Sequence, residues 1–171
     1  SLLKHLSELN LPQLKELQSN ADQTISRMCI SFTVYSDKGN IDRLWPFDVL
    51  PRTIDADEWN EIRQGLVQRV RALNHFIEDV YNEQAIFKAG VMPLEVIESS
   101  KDYRPECRGM KLKHTAWACI CGSDIVRAEG GKVYVLEDNL RVPSGVSYML
   151  ENRAIMKQVM PEAFQNMNIL P

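Results

Sequence analysis

Glu137, Asn139 and Arg141 are spaced two residues apart in the run Val135-Leu136-Glu137-Asp138-Asn139-Leu140-Arg141. On a strand, residues two apart share a face, so Glu137 and Asn139 point the same way, and Arg141 follows if the extension continues. A carboxylate and an amide oxygen are hard donors suited to a divalent cation. A guanidinium just beyond them suits the phosphate oxygens such a cation would hold. Pro143, Ser144 and Gly145 then interrupt the strand before a helical pattern begins. Strand ends that feed helix N-termini favour anions, because free backbone N–H groups point outward there.

A second carboxylate comes from upstream. Ile125-Val126-Arg127 and Lys132-Val133-Tyr134-Val135 flank Glu129-Gly130-Gly131, a hairpin signal. A turn centred on Gly130-Gly131 sets Asp124 directly opposite Glu137. Such paired side chains lie about 4.5–5.5 Å apart at Cβ, and like charges there repel. A cation between them would remove the conflict. The alternative is two exposed acids on a solvated hairpin end, and a one-residue slip would turn Asp124 to the other face.

Glu-x-Asn-x-Arg at a strand end, with an upstream Asp, resembles the metal-binding strand of ATP-grasp ligases. The longer string VLEDNLRVPSGVSYMLENR (Val135 to Arg153) resembles the circularly permuted ATP-grasp proteins related to glutathionylspermidine synthase, a bacterial family. The resemblance extends back through YRPECRG (Tyr103 to Gly109), QRVRALNHFIEDVY (Gln68 to Tyr81), WPFDVLPR (Trp45 to Arg52) and FTVY (Phe32 to Tyr35). It implies a partial ATP-grasp-like fold of mixed α+β or α/β class, with helices packed on a small, mainly antiparallel sheet that includes a metal-site hairpin. Residues 1–28 would be a helical N-terminal segment, and 29–171 the N-terminal portion of the permuted domain.

The same resemblance implies an ATP-dependent carboxylate–amine ligase working through an acyl phosphate. Asp124, Glu137 and Asn139 match the magnesium positions, with manganese as an alternative ion, and Arg141 would stabilise the transferring phosphoryl group. Ser144, Gly145 and Ser147 would offer nucleotide contacts near the helix start, with plain N-capping as the alternative. Arg104 and Arg108 become candidates for phosphate or substrate-carboxylate contacts, with solvated loop charges as the alternative. The family's nucleotide-binding lysines and glycine-rich loop are not found in these residues and are expected after residue 171. The remainder of the chain is therefore an expected partner, beside small-molecule or peptide carboxylate and amine substrates. Taken alone, the 171 residues are expected to lack ATP turnover and to self-associate through an exposed docking face. The competing reading is a catalytically silent ATP-grasp-like binding or scaffolding module. Retention of the whole Asp-x12-Glu-x-Asn-x-Arg set favours the enzyme.

The bulk properties agree with a globular protein. A chain of 171 residues can bury a core, and 44% hydrophobic with 25% charged residues is ordinary. A net charge of −3 argues against nonspecific nucleic-acid or acidic-membrane partners. No apolar run approaches the ~18 residues of a membrane span. Cys29, Cys107, Cys119 and Cys121 have no C-x-x-C spacing, and His5, His75 and His114 are scattered, so a reduced, cytoplasmic protein is expected.

The supporting elements are legible around the motif. Asn10 and Pro12 open a helix carrying Leu14, Leu17, Ala21, Ile25 and Met28, and with the Leu2–Leu9 patch this predicts a helical hairpin. Cys29 to Tyr35 alternates as a half-buried strand, and Asp37 to Asn40 turns the chain. Trp45 to Arg52, with two prolines, predicts a loop packed on the core. Asp55 and Glu58 are spaced as an N-cap and its reciprocal acid. They open a long helix to about Asn82 whose stripe is Trp59, Ile62, Leu66, Val70, Leu73, Ile77 and Val80, with Arg63, Gln64, Arg69 and Arg71 largely off it. Short helices broken by Gly90 and Pro93 come next. Thr115 to Gly122 predicts a strand buried on both faces, with Cys119 and Cys121 as buried thiols. Gly122-Ser123 allows a bend or a close backbone approach. The last helix carries Val146, Met149, Leu150, Met156 and Val159, with Glu151, Asn152 and Arg153 on its polar side, and ends at Pro161.

Overall fold

The computed structural model describes residues 2–34, 39–165 and 169. In chain order these form α1 (Leu2–Ser7), α2 (Leu11–Met28), β1 (Ser31–Val34), β2 (Ile41–Leu44), α3 (Ala56–Tyr81), α4 (Ala85–Lys88), α5 (Glu95–Glu98), β3 (Gly122–Arg127), β4 (Val133–Asn139) and α6 (Gly145–Val159). The strands form two antiparallel pairs, β1 with β2 and β3 with β4. The chain divides into two compact units, one of Ser1–Thr53 with Gly145–Pro171, the other of Ile54–Ser144. Helices and small antiparallel sheets are thus mixed as expected, and the helices of residues 1–28 fall in the same unit as α6.

The first unit is built on apolar packing. Asn10 caps α2 through a reciprocal box, its side chain accepting from the Gln13 N–H while the Gln13 side chain accepts from the Asn10 N–H. The helix presents Ala21 and Ile25 to Val49 and Ile155, and the four form one buried cluster. A neighbouring cluster joins Met156, Met160 and Ala163, with Leu6, Leu9 and Leu17 packed against it. β1 alternates as expected, with Phe32 and Val34 half-buried. Its partner β2 was not foreseen, because Ile41-Asp42-Arg43-Leu44 is exposed throughout and carries no alternation of burial. Of the expected turn Asp37 to Asn40, the first two residues lie outside the described residues; Gly39, which is described, has a positive φ of 116°.

The expected face of α6 needs correction. Met149 and Leu150 are exposed, while Ile155 and Met156 are buried. Asn152, expected on the polar side, accepts a hydrogen bond from the Trp45 indole at 2.8 Å. Trp45 also stacks on Tyr148, with ring centroids 4.1 Å apart. An aromatic pair and an amide hydrogen bond, rather than aliphatic periodicity, set which way this helix turns.

The second unit hangs on α3. Asp55 caps it as expected, accepting from the Glu58 N–H at 2.9 Å. The Glu58 carboxylate, however, does not close the box; Arg127 of β3 takes it at 2.7 Å through two nitrogens. The apolar stripe has the expected phase, with Ile62 and Val80 buried, but Trp59, Leu66, Val70 and Leu73 are only half-covered.

Residues 115–121 are not a strand. His114 and Thr115 adopt positive φ of 64° and 54°, and the chain is tied to α3 by side chains instead of to a neighbouring strand. The Ala118 N–H donates to Asn74 Oδ1 at 2.8 Å, and the Trp117 indole donates to Glu78. Cys119 is consequently exposed and Cys121 half-buried, and the four cysteines are all free thiols. Apolar composition alone could not separate a buried strand from a loop lashed to a helix.

Candidate metal and phosphate site on the β3–β4 hairpin

The hairpin positions the candidate residues, and its register has two parts. Near the turn Ile125 pairs with Val135, Val126 with Tyr134 and Arg127 with Val133, around a three-residue connection Glu129–Gly131. At the open end Gly122 pairs with Asn139, Ser123 with Asp138 and Asp124 with Glu137. The two patterns differ by one residue, and Leu136 is the extra one. The turn is therefore longer than a two-residue Gly130-Gly131 turn, and a β-bulge compensates, so the expected pairing of Asp124 with Glu137 is present for a different reason.

The bulge decides which carboxylate faces where. Val133 and Val135 are half-buried on the face toward α3, and strict alternation would send Glu137 after them. With Leu136 inserted, Glu137 and Asn139 turn outward and Asp138 turns inward. The side chain of Asp138 is 8% exposed, accepting from Ser123 Oγ at 2.7 Å and from Arg69 Nε at 2.6 Å. Burial pushes the Asp138 carboxyl up, but the Ser123 and Arg69 hydrogen bonds and the Arg69 charge outweigh it and hold it below the ordinary range. Arg69, half exposed, is thus one partner of an ion pair within the unit. Asp138 and Ser123 were missed as positioning groups; the mismatch between Val-x-Val alternation and a Glu two residues later was the available signal.

On the outer face, Asp124, Glu137 and Asn139 are all exposed. The Asn139 amide nitrogen donates to Glu137 Oε1 at 3.0 Å, which turns its carbonyl oxygen away from that carboxylate. Carboxylate and amide oxygens are the donor type that magnesium or manganese takes, but as placed only the Asp124 and Glu137 carboxylates are paired, the Asn139 oxygen being turned from Glu137. Among the described residues no three His, Cys, Asp or Glu side chains gather, so a closed zinc-type centre is not formed.

Beyond Asn139 the backbone is strained. Arg141 is exposed, and Val142, 85% exposed, has a φ of 46°, unusual for a β-branched residue. The chain then returns over the strand. A Cβ on Gly122 would lie 2.8 Å from Pro143 Cβ, so the expected close approach at Gly122 is made to Pro143. Ser144 ends this unit, whereas Gly145 and Ser147 open α6 in the other.

The two loop arginines are placed differently. Arg104 donates to the carbonyls of Lys101 and Tyr103, at 3.0 and 3.4 Å, within its own loop. Arg108 donates to the Tyr103 hydroxyl at 2.7 Å and lines a cavity of about 410 Å³ together with Tyr81, Asn82, Gln84, Glu98 and Gly109. The Tyr103 hydrogen bond and, more weakly, the Glu98 charge raise the guanidinium pKa further.

Comparison with known proteins decides the family. The family described as circularly permuted ATP-grasp type 2 matches residues 51–171. The chain belongs to that family. An uncharacterized protein of Synechocystis is 41% identical over 170 residues, covering 99% of this chain and 35% of the relative. An uncharacterized protein of Mycobacterium tuberculosis is 35% identical over 158 residues, covering 92% of this chain and 28% of the relative. A Frankia casuarinae protein named "Putative glutamate--cysteine ligase 2-2" is 42% identical over 120 residues, covering 70% of this chain and 14% of the relative. This circularly permuted ATP-grasp chain thus spans about a third or less of these relatives. No helix among its described residues is long and apolar enough to cross a membrane.

Proposed function

We propose that the chain supplies the cation- and phosphate-binding strand of an ATP-dependent carboxylate–amine ligase. The observation that carries this reading is the direct pairing of Asp124 with Glu137, with Asn139 bonded beside them on the outer face of a chain of this family. Asp124, Glu137 and Asn139 would hold the cation, and Arg141 would take oxygens of the transferring phosphoryl group. Ser144 would add a donor beyond the end of β4, while Gly145 and Ser147 remain nucleotide-contact candidates by family resemblance alone. When bound, ATP with its divalent cation supplies the activated phosphoryl group and offsets its charge as a substrate carboxylate attacks. That attack would release ADP and leave an acyl phosphate, and an amine attacking its carbonyl would form the amide and expel inorganic phosphate. Arg108, held by Tyr103 at the edge of its cavity, suits the substrate carboxylate; Arg104, engaged by its own loop, suits it less.

The Frankia name supports a ligase class. Because the match covers 14% of that protein, the name does not fix the acid or amine for this chain. The test is Glu137→Gln in the full-length protein, with magnesium-dependent ATP consumption as the readout. Loss of at least about 100-fold is expected, as when one electrostatic contact to a transferring group is removed. Unchanged consumption would leave Glu137 a surface acid and defeat the reading.

A further inference from the structure

The residues beside the Asp124–Glu137 carboxylate pair do not explain why Glu137 rather than Asp138 is on the outer face. That choice is made on the opposite face of the hairpin. Asp138, the most enclosed carboxylate of β4, is fixed by Ser123 Oγ directly across the ladder and by Arg69 Nε from α3. At the other end of the hairpin Arg127 grips Glu58, 11 residues earlier on α3. These ties fix the hairpin at two points along the helix. Between them β4 has one residue more than β3, and it emerges at Leu136, 66% exposed. If β4 slipped by one residue and lost the bulge, Asp138 and Leu140 would occupy the outer face, and both Glu137 and Asn139 would leave it.

We propose that Arg69, Ser123 and Asp138 form a positioning cluster that locks the bulged register and thereby presents Glu137 and Asn139 to the cation. The inference rests on the cation-site reading above. Arg69 and Ser123 touch neither cation nor nucleotide; they act through Asp138. Groups of this kind behind metal ligands typically change affinity by about 10–100-fold when removed.

The experiment is a manganese titration of the full-length protein, read by electron paramagnetic resonance, with thermal unfolding measured on the same samples. Arg69→Gln should weaken manganese binding by about 10-fold. Arg69→Lys, whose ammonium lies one bond beyond the position of the arginine Nε and keeps the positive charge, should recover most of it. Ser123→Ala, a smaller disturbance, keeps the test open if Arg69→Gln fails to fold, and should weaken binding in the same direction. Glu137→Gln is measured alongside. If it abolishes binding while Arg69→Gln and Ser123→Ala match the unsubstituted protein, the positioning role is overturned and the cation site stands. If Arg69→Gln and Arg69→Lys weaken binding equally, in step with lost thermal stability, the cluster is only structural and the proposal fails. If Glu137→Gln binds manganese normally, the cation-site reading falls and this inference with it.

Discussion

The two units are held together by different physics. Of the ten buried apolar residues among the described residues, the unit of α1, α2, β1, β2 and α6 has seven: Ala21, Ile25, Val49, Ile155, Met156, Met160 and Ala163. The unit built on α3 has the other three, Ile62, Val80 and Ala118, although it is of similar length. It relies on ties of another kind: Glu58 with Arg127, Arg69 with Asp138, Asn74 with the Ala118 backbone, and the stacked rings of Tyr103, Tyr81 and Trp117. Apolar contacts are non-directional, whereas ion pairs and amide hydrogen bonds fix orientation. The unit bearing the candidate site is therefore the one whose parts are aimed rather than merely packed. Half-covered Leu66, Val70 and Leu73 on α3 are part of the same difference.

Substitutions can break or sharpen this contrast. Ile155→Ala, at a site with no exposure, should cost about 2–5 kcal/mol in urea unfolding, as cavity-forming changes do. A cost below about 1 kcal/mol would remove the claim that the first unit depends on its core. Asn74→Ala should cost about 1–3 kcal/mol, because the buried Ala118 N–H loses its acceptor. Its size relative to Leu66→Ala is the sharper measure. Leu66 is half-covered, so that truncation should cost about 1–2 kcal/mol, less than a full core deletion. If Leu66→Ala exceeds Asn74→Ala, packing and not aimed polar contacts governs the second unit.

The smallest effect is the most specific. Asp138→Asn should cost about 1 kcal/mol near neutral pH, part of the Arg69 attraction being screened because Arg69 is half exposed. The folded Asp138 carboxyl is held below its ordinary value, so its contribution is present above the unfolded value near 4 and lost as pH falls through the folded one. The stability difference between Asp138→Asn and the unsubstituted protein should accordingly be constant above about pH 5 and close progressively below about pH 4. A difference that persists at pH 2 would assign the effect to packing.

Sequence spacing made the helices readable. Asn10 and Asp55 mark the starts of α2 and α3, and the 3.6-residue period gives the correct face of α3. The Asp124–Glu137 pairing was legible from Glu129-Gly130-Gly131 and the flanking strands, but the bulge was not. A turn of three residues and an inserted Leu136 cancel at the open end, so the outcome is unchanged while the path differs. The segment Thr115 to Cys121 misleads because its partners, Asn74 and Glu78, lie about 40 residues upstream on a helix. β2 was unreadable for the opposite reason, since all four of its residues face solvent. Arg69 could not be recognised as a partner for Asp138 until the inward turn of Asp138 was known.

The aromatic contacts make each unit separately visible. The chain has three tryptophans, Trp45, Trp59 and Trp117. Trp45 belongs to the first unit, stacked on Tyr148 with its indole N–H on a neutral amide. Trp117 belongs to the second, stacked on Tyr81 at 5.1 Å with its indole N–H on a carboxylate. Replacing Trp59 by Phe would leave one indole in each unit, in chemically different surroundings. Fluorescence from such a variant, recorded with either remaining indole also replaced, would track loosening of one unit at a time.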